Sequence, residues 1–185
     1  MSQIIQVIKK PKICNVVCTG NLEQKVSLVK LSKLSCVIYD KKIYNGRCGY
    51  VKTSTMDGRV TIFPSGKMIS IGGKSIKKAI EQLNFAKSYL VQENIIKEIK
   101  LIPKVRNIVA TIKVEQSIPI EKLSSKISGA IYNPETFPAL IIKGLHNCCF
   151  LIFASGKIVI MGAKSSEELS TSSFELIQRL NQEIN

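Results

Sequence analysis

Six cysteines and one histidine are the residues from which metal or thiol chemistry would have to be built. Cys14, Cys18, Cys36, Cys48, Cys148 and Cys149 contain no CxxC pair, and His146 is the single histidine. A structural zinc site needs four such ligands at characteristic spacings, so no metal and no cofactor are expected. The cysteines read as buried free thiols and His146 as a turn residue. Gly72-Gly-Lys-Ser75 and Gly162-Ala-Lys-Ser165 look like fragments of a phosphate loop, but neither has the Walker spacing. The chain offers no carboxylate cluster and no nucleophile–base pair, which disfavours an enzyme. What it offers is positive charge: 27 Lys and Arg against 13 Asp and Glu, a formal net charge of +14. That balance favours an anionic partner, either nucleic acid or an anionic membrane surface. There is no signal peptide and no apolar run long enough to span a bilayer, so an intracellular protein with no membrane partner is expected.

The lysines stand in a repeated setting. Val60-Thr-Ile-Phe-Pro-Ser-Gly-Lys-Met-Ile-Ser-Ile-Gly-Gly-Lys-Ser75 has the same grammar as Phe150-Leu-Ile-Phe-Ala-Ser-Gly-Lys-Ile-Val-Ile-Met-Gly-Ala-Lys-Ser165, with Phe63 and Phe153 90 residues apart. Asn15-Val-Val17 pairs with Asn107-Ile-Val109, and Tyr39-Asp40 with Tyr132-Asn133. A chain of 185 residues is about two such periods, so the first inference is an internal duplication. Residues 11–94 form the first repeat and 95–185 the second, with Pro103 marking the end of a mixed link.

The elements that position these lysines follow from hydrophobic periodicity. In the first repeat, strands are expected at Ile13–Thr19, Ser35–Tyr39, Tyr50–Ser54, Arg59–Phe63 and Met68–Ile71. A short helix falls in 26–34, and an Asp57-Gly58 hairpin precedes the fourth strand. Asp40–Gly49 reads as a projecting loop. Ser75 caps a helix reaching about Tyr89, with Ile76, Ala79, Ile80, Leu83 and Ala86 inward. The second repeat gives strands at Val105–Val114, Ala130–Tyr132, Ala139–Lys143 and Cys148–Phe153, and a fifth after the Ser155-Gly156 turn. A short helix covers Glu121–Lys126. Ser165 caps the last helix, with Leu169, Phe174, Ile177 and Leu180 inward. Residues 1–10 are a basic lead with no clear partner.

These strands are apolar on both faces. If Val60, Ile62, Phe150 and Ile152 face the helices, then Thr61, Phe63, Leu151 and Phe153 face away. Ile69, Ile71, Val159, Met161, Val17 and Val109 join them. Two helices per repeat cover one sheet face, and the other is left as a large apolar surface, which usually marks a binding site. A second sheet layer or a tight homodimer could bury it equally well. However, the surface also carries Asn15 and Asn107 and is bordered by Lys67, Lys74, Lys157 and Lys164, a border that a dimer face does not require. A DNA minor groove would use all of it: an apolar floor with few donors, steps that admit wedges, and flanking phosphates.

On these blocks, with Tyr132-Asn-Pro-Glu-Thr-Phe137-Pro138 and Ile152-Phe-Ala-Ser-Gly-Lys-Ile-Val159, the sequence resembles the TATA-box-binding protein family over about residues 13–183. That family is itself a standing example of minor-groove bending. The resemblance implies an α+β saddle of two pseudo-symmetric repeats, with a curved antiparallel β-sheet below and helices on the convex face. It implies a nuclear transcription initiation factor, or a cytoplasmic one in an archaeal or viral source, with A·T-rich promoter DNA as its ligand. Transcription factor IIB-like protein, other initiation factors and the RNA polymerase machinery would be its partners.

Carried over by position, Phe137 with Phe153 and Phe63 with Tyr44 would be the wedge pairs. Asn15 and Asn107 would donate to A·T acceptors. Val17, Val109, Ile69, Val159 and Leu151 would pack on the groove floor. Lys67, Lys74, Lys157 and Lys164 would hold phosphates beside Ser65 and Ser155, and Glu135 would contact the IIB-like factor. The chain departs from the family at Tyr44, where Phe is usual, and in Tyr39-Asp-Lys-Lys-Ile43, which lacks the family's proline and arginine. Ile71 and Met161 replace groove-contacting threonines and so remove two hydroxyls. A divergent paralogue that keeps the fold but binds protein or RNA is the alternative.

Overall fold

A computed structural model of the chain describes residues 5, 10–42 and 44–184, with Tyr44 described by its backbone alone. Ile43 and most of the lead before Lys10 lie outside the described residues. The chain forms two compact units, one made of Asn15–Arg106 and the other of Asn107–Asn185 with the N-terminal stretch through Cys14.

The first repeat runs β1 (Lys12–Asn21), α1 (Leu28–Leu31), β2 (Val37–Ile38), β3 (Gly49–Val51), β4 (Arg59–Ile62), β5 (Lys67–Gly73) and α2 (Ile76–Gln92). The second runs β6 (Lys104–Lys113), α3 (Ile120–Lys126), β7 (Ile131–Asn133), β8 (Phe137–Leu145), β9 (Cys148–Phe153), β10 (Lys157–Ala163) and α4 (Ser166–Ile184). The strand order is β2-β3-β4-β5-β1 in the first repeat and β7-β8-β9-β10-β6 in the second, with antiparallel pairing throughout. The two orders are the same, element for element, as an internal duplication requires.

Both long helices start on a serine. Ser75 Oγ accepts the Lys78 N–H at 3.1 Å, and Ser165 Oγ accepts the Glu168 N–H at 3.0 Å. Glu168 reaches back to the Lys164 N–H at 2.7 Å, so side chains on both sides of the α4 start satisfy donors the helix leaves open. Glu167 and Glu168 also place negative charge at the positive end of the helix dipole. The helix-facing strand residues are fully buried, among them Val60, Ile62, Met68, Ile108, Phe150, Ile152, Ile158 and Ile160. Burying a side chain of this size contributes roughly 1.5–3 kcal/mol, and these rows form the core of each repeat.

Several elements differ from the sequence expectation. The helix expected in 26–34 is one turn long, and β2 has two residues. β3 and β4 are joined by a seven-residue loop spanning 52–58 rather than a two-residue hairpin. Lys52 Nζ donates to the Met56 carbonyl within that loop, and Lys78 Nζ holds Asp57 Oδ2 at 2.8 Å. Phe174 is not inward: it is 63% exposed, and Leu176, Ser172 and Ser173 take the buried positions beside Leu169 and Leu180. The two serine hydroxyls are satisfied within the helix, donating to the Glu168 and Ser170 carbonyls at 2.6 and 2.8 Å, so neither is buried without a partner. The lead does have a partner. Ile5 is 2% exposed, its N–H reaches Asn181 Oδ1 at 2.7 Å, and its carbonyl accepts from Asn181 Nδ2 at 3.1 Å.

Candidate nucleic-acid interface

Within each unit the sheet has one face under helices and one face open. On the open face, the strands alternate half-buried residues with the fully buried ones behind them, as period-two geometry requires. The predicted floor residues come together there. In the second repeat Thr111, Val159, Leu151 and Ile141 form one cross-strand row, and Val109, Met161 and Cys149 form the next. In the first repeat Thr19, Ile69 and Thr61 form a row, with Ile71 opposite Arg59 in the neighbouring one. Asn15 and Val17 lie on the same face of β1.

The two asparagines are held by the sheet's own irregularity. Gly72 and Gly162 have φ of +88° and +110°, and the strand registers shift beside both. Such bulges take a backbone N–H out of the ladder. Gly72 N–H donates to Asn15 Oδ1 at 2.7 Å, and Gly162 N–H donates to Asn107 Oδ1 at 2.8 Å. A backbone N–H can only donate, so the amide oxygen must face the glycine and the NH2 group must point elsewhere. Both side chains are half-buried on the open face. Each repeat therefore presents one oriented pair of N–H donors within an apolar field.

The wedge candidates in the second repeat meet edge to face. The rings of Phe137 and Phe153 have centroids 6.1 Å apart and planes at 67°, and Phe137 is 41% exposed. Phe63 is half-buried in the first repeat, while the Tyr44 side chain lies outside the described residues. Lys67, Lys74, Lys157 and Lys164 are exposed, as are Ser65 and Ser155 in the Ser-Gly-Lys turns. Glu135 is exposed at the tip of the β7–β8 turn, where Asn133 Oδ1 accepts the Glu135 N–H at 3.1 Å. His146 lies in a left-handed turn with Asn147, and its Nε2 is 2.8 Å from Glu175 Oε1.

Arginines complete the picture. Beside Phe63 a groove of about 1010 Å³ is lined by Thr19, Lys67, Ile69, Lys104 and Arg106, with Arg47 at its edge. Arg106 Nε donates to Thr19 Oγ1 at 2.9 Å. Arg59 lies 4.4 Å above the ring of Tyr50, in a second recess of about 720 Å³ that also reaches Asn15 and Ile71. Sequence reasoning did not single out these arginines. Strand alternation puts Arg106 on the side of buried Ile108, yet at the strand start its long side chain reaches an open-face hydroxyl. The available signal was the repeat itself, which sets Arg106 against Cys14 and Arg59 against Cys149. Among the described residues, no group of His, Cys, Asp and Glu side chains could hold a metal ion. Burial pushes the Cys18 and Cys148 thiols up, away from the reactive thiolate.

Comparison with known proteins meets this geometry. The family model described as transcription factor TFIID (or TATA-binding protein, TBP) matches residues 10–90 and again residues 102–183. The TATA-box-binding protein of Cenarchaeum symbiosum is 50% identical over 93% of this chain and 94% of its own length. That of Aeropyrum pernix is 30% identical over 96% of this chain and 89% of its own length. Among solved structures, Methanococcus jannaschii TBP superposes with a TM-score of 0.84 at 25% identity, covering 94% of this chain and 99% of that one.

Proposed function

The chain belongs to the TATA-box-binding protein family, and we propose that it binds the minor groove of A·T-rich promoter DNA, bends it with aromatic wedges and so nucleates transcription initiation. The family is one of transcription factors and not of enzymes. One observation carries the reading: the pair of asparagine amides on an open apolar face, each fixed by a bulged glycine so that its NH2 points away. The minor-groove edge of an A·T pair offers only acceptors, adenine N3 and thymine O2, whereas a G·C pair adds a donor that meets an N–H badly. Two oriented donors set in Val17, Ile69, Ile71, Val109, Leu151, Val159 and Met161 therefore select A·T steps. Phe63 and Tyr44 in one repeat, and Phe137 and Phe153 in the other, enter base steps and unstack them. Lys67, Lys74, Lys157 and Lys164, with Ser65 and Ser155, hold phosphates on either side.

The repeats in this reading are 11–94 and 95–185. Glu135, presented on its turn, receives a basic surface of a transcription factor IIB-like protein, and the assembly recruits the polymerase. The named relatives above are archaeal, which supports a cytoplasmic rather than a nuclear setting. The deciding experiment compares binding to an A·T-rich duplex, a G·C-rich duplex and single-stranded RNA by fluorescence anisotropy across a salt series. Tight, salt-dependent binding to the A·T duplex alone is expected, with the log–log slope falling by about one unit for each of Lys157→Ala and Lys164→Ala. Equal binding to all three nucleic acids would instead support a paralogue that has lost promoter recognition.

A further inference from the structure

The groove beside Phe63 lies wholly within the unit made of Asn15–Arg106, and its volume is about 1010 Å³. Small-molecule sites commonly enclose roughly 300–1,000 Å³. The groove forms where the link before β6 crosses the end of β1. Gly20 is buried there, and a Cβ on it would stand 2.9 Å from Leu101 Cδ1, so the bare backbone lets the link lie close. The link then brings Ile102, Lys104 and Arg106 to the groove. Ile102 is 68% exposed, and half-buried Leu28 also lines the groove. The minor-groove reading uses neither. Arg47, Lys67, Lys104 and Arg106 line the same groove, and all four are exposed. Among the described residues none of the four is in an ion pair, and no carboxylate lines the groove. Thr19 Oγ1 accepts from Arg106 Nε at 2.9 Å, which sets the guanidinium, and its Nη groups have no hydrogen-bond partner among the described residues. Aromatic and aliphatic surface beside four unopposed cations calls for a ligand that is flat and apolar in one part and polyanionic in another.

We propose that this groove binds a free nucleoside triphosphate, and that the bound nucleotide excludes DNA from the same unit. The exclusion rests on the DNA-binding reading above; the nucleotide site does not. The base lies against Phe63 and Ile102. Every base has a π face, so an aromatic side chain stacks on it whatever its identity. The phosphate chain lies against Arg47, Lys104 and Arg106. A guanidinium can pair with two phosphate oxygens at once, and an ammonium adds a point charge. Inorganic phosphate would use the cations but leave Phe63, Leu28 and Ile102 in water. A minor groove would engage Phe63 as a wedge and Lys67 at a phosphate, so duplex and nucleotide claim the same side chains. Abundant free nucleotide therefore releases the protein from its promoter.

The test uses the full chain and ATP as the probe, with inorganic tripolyphosphate and adenosine as comparators, in titration calorimetry at fixed salt. One ATP per chain is expected, bound about tenfold or more tighter than either comparator, since each comparator lacks one half of the contacts. Ile102→Ser alters an exposed side chain outside the proposed DNA contacts. It should weaken ATP about tenfold through the lost aliphatic contact, with the melting temperature and the affinity for an A·T duplex unchanged. In fluorescence anisotropy, ATP should displace the duplex from the unsubstituted protein, and about tenfold more should be needed with Ile102→Ser. ATP bound no tighter than tripolyphosphate, or unaffected by Ile102→Ser, would show only a general attraction of polyanions to a basic chain. Either result overturns the proposal and leaves DNA binding intact. ATP and duplex held at the same time would overturn the exclusion. Ile102-dependent ATP binding by a protein that binds no A·T duplex would keep the nucleotide site and sink the DNA reading instead.

Discussion

Gly72 donates its N–H to Asn15 Oδ1 across 2.7 Å, and Gly162 repeats the contact to Asn107 at 2.8 Å. A bulge that would otherwise strand a backbone donor is thereby turned into a device that sets the orientation of an amide. The positive φ at each glycine is what makes the bulge possible, since an L side chain there would be strained. On the proposed reading, fold and recognition share one hydrogen bond on each repeat, and a suitable substitution can separate them.

Asn107→Asp is that substitution. The carboxylate still accepts the Gly162 N–H, so unfolding in denaturant should shift little. The donors that face the duplex are gone, and a negative charge takes their place. Affinity for an A·T duplex should fall by about tenfold or more. Asn107→Ala should lose both, the affinity that the donors give and roughly 0.5–1.5 kcal/mol of stability through the lost acceptor. Denaturation and anisotropy measured on both variants check this, and an Asp variant that binds normally would remove Asn107 from the recognition surface.

The alternation of half-buried and buried residues was legible in the sequence because Val60–Phe63 and Phe150–Phe153 carry it in period two, and because Ser-Gly-Lys turns fix where each strand ends. The paired asparagines and the lysine border followed from the repeat. Phe174 was misread because an apolar residue was assumed to be the packed one, whereas Ser172 and Ser173 are buried with their hydroxyls bonded back to helix carbonyls. The bulge bonds were not legible. They depend on a register shift, which the residues flanking Gly72 and Gly162 do not announce. Arg106 was missed because alternation describes where a side chain starts and not where a long one ends.

Gln82 is 5% exposed, and its Nε2 has no hydrogen-bond partner among the described residues; its Oε1 meets Ser70 Oγ at 3.4 Å. The second repeat puts buried Ile160 at the position of Ser70. Ser70→Ala with Gln82→Leu removes a stranded donor and its weak partner together, and should raise stability by about 1 kcal/mol with DNA affinity unchanged. A loss of stability would mean that the pair is satisfied in solution.

The Lys78 ammonium, hydrogen-bonded to Asp57, holds that carboxyl below the usual carboxylate range, and Asp57 in turn raises Lys78. A depressed carboxyl stabilises the folded state above its unfolded pKa, and the benefit is lost as pH falls through its folded value. The pair is at the surface, so its effect is small and weakened by salt. Asp57→Asn should match the parent protein in strongly acid buffer and fall slightly below it at neutral pH. Thermal melts across pH 2–7 read this, and parallel curves would remove the pair as a contributor.

The last expectation concerns the wedges. Phe137 and Phe153 pack edge to face with centroids 6.1 Å apart, so each limits the orientations open to the other. In the other repeat, Phe63 is matched in the sequence with Tyr44. A phenol hydroxyl entering a base step must shed water and finds few partners there, which costs free energy. Bending should therefore depend more on the phenylalanine pair. Phe153→Ala should lower affinity by about tenfold or more, given the roughly 1.5–3 kcal/mol that burying such a ring contributes. It should also weaken the bend, and Phe137→Ala combined with it should add little, since one ring without its neighbour is poorly held. Tyr44→Ala should cost less, and Tyr44→Phe should be neutral or favourable. Energy transfer between the ends of a labelled duplex at fixed salt reports the bend directly. If Tyr44→Ala abolishes the bend while Phe153→Ala leaves it intact, the wedges have been assigned to the wrong repeat.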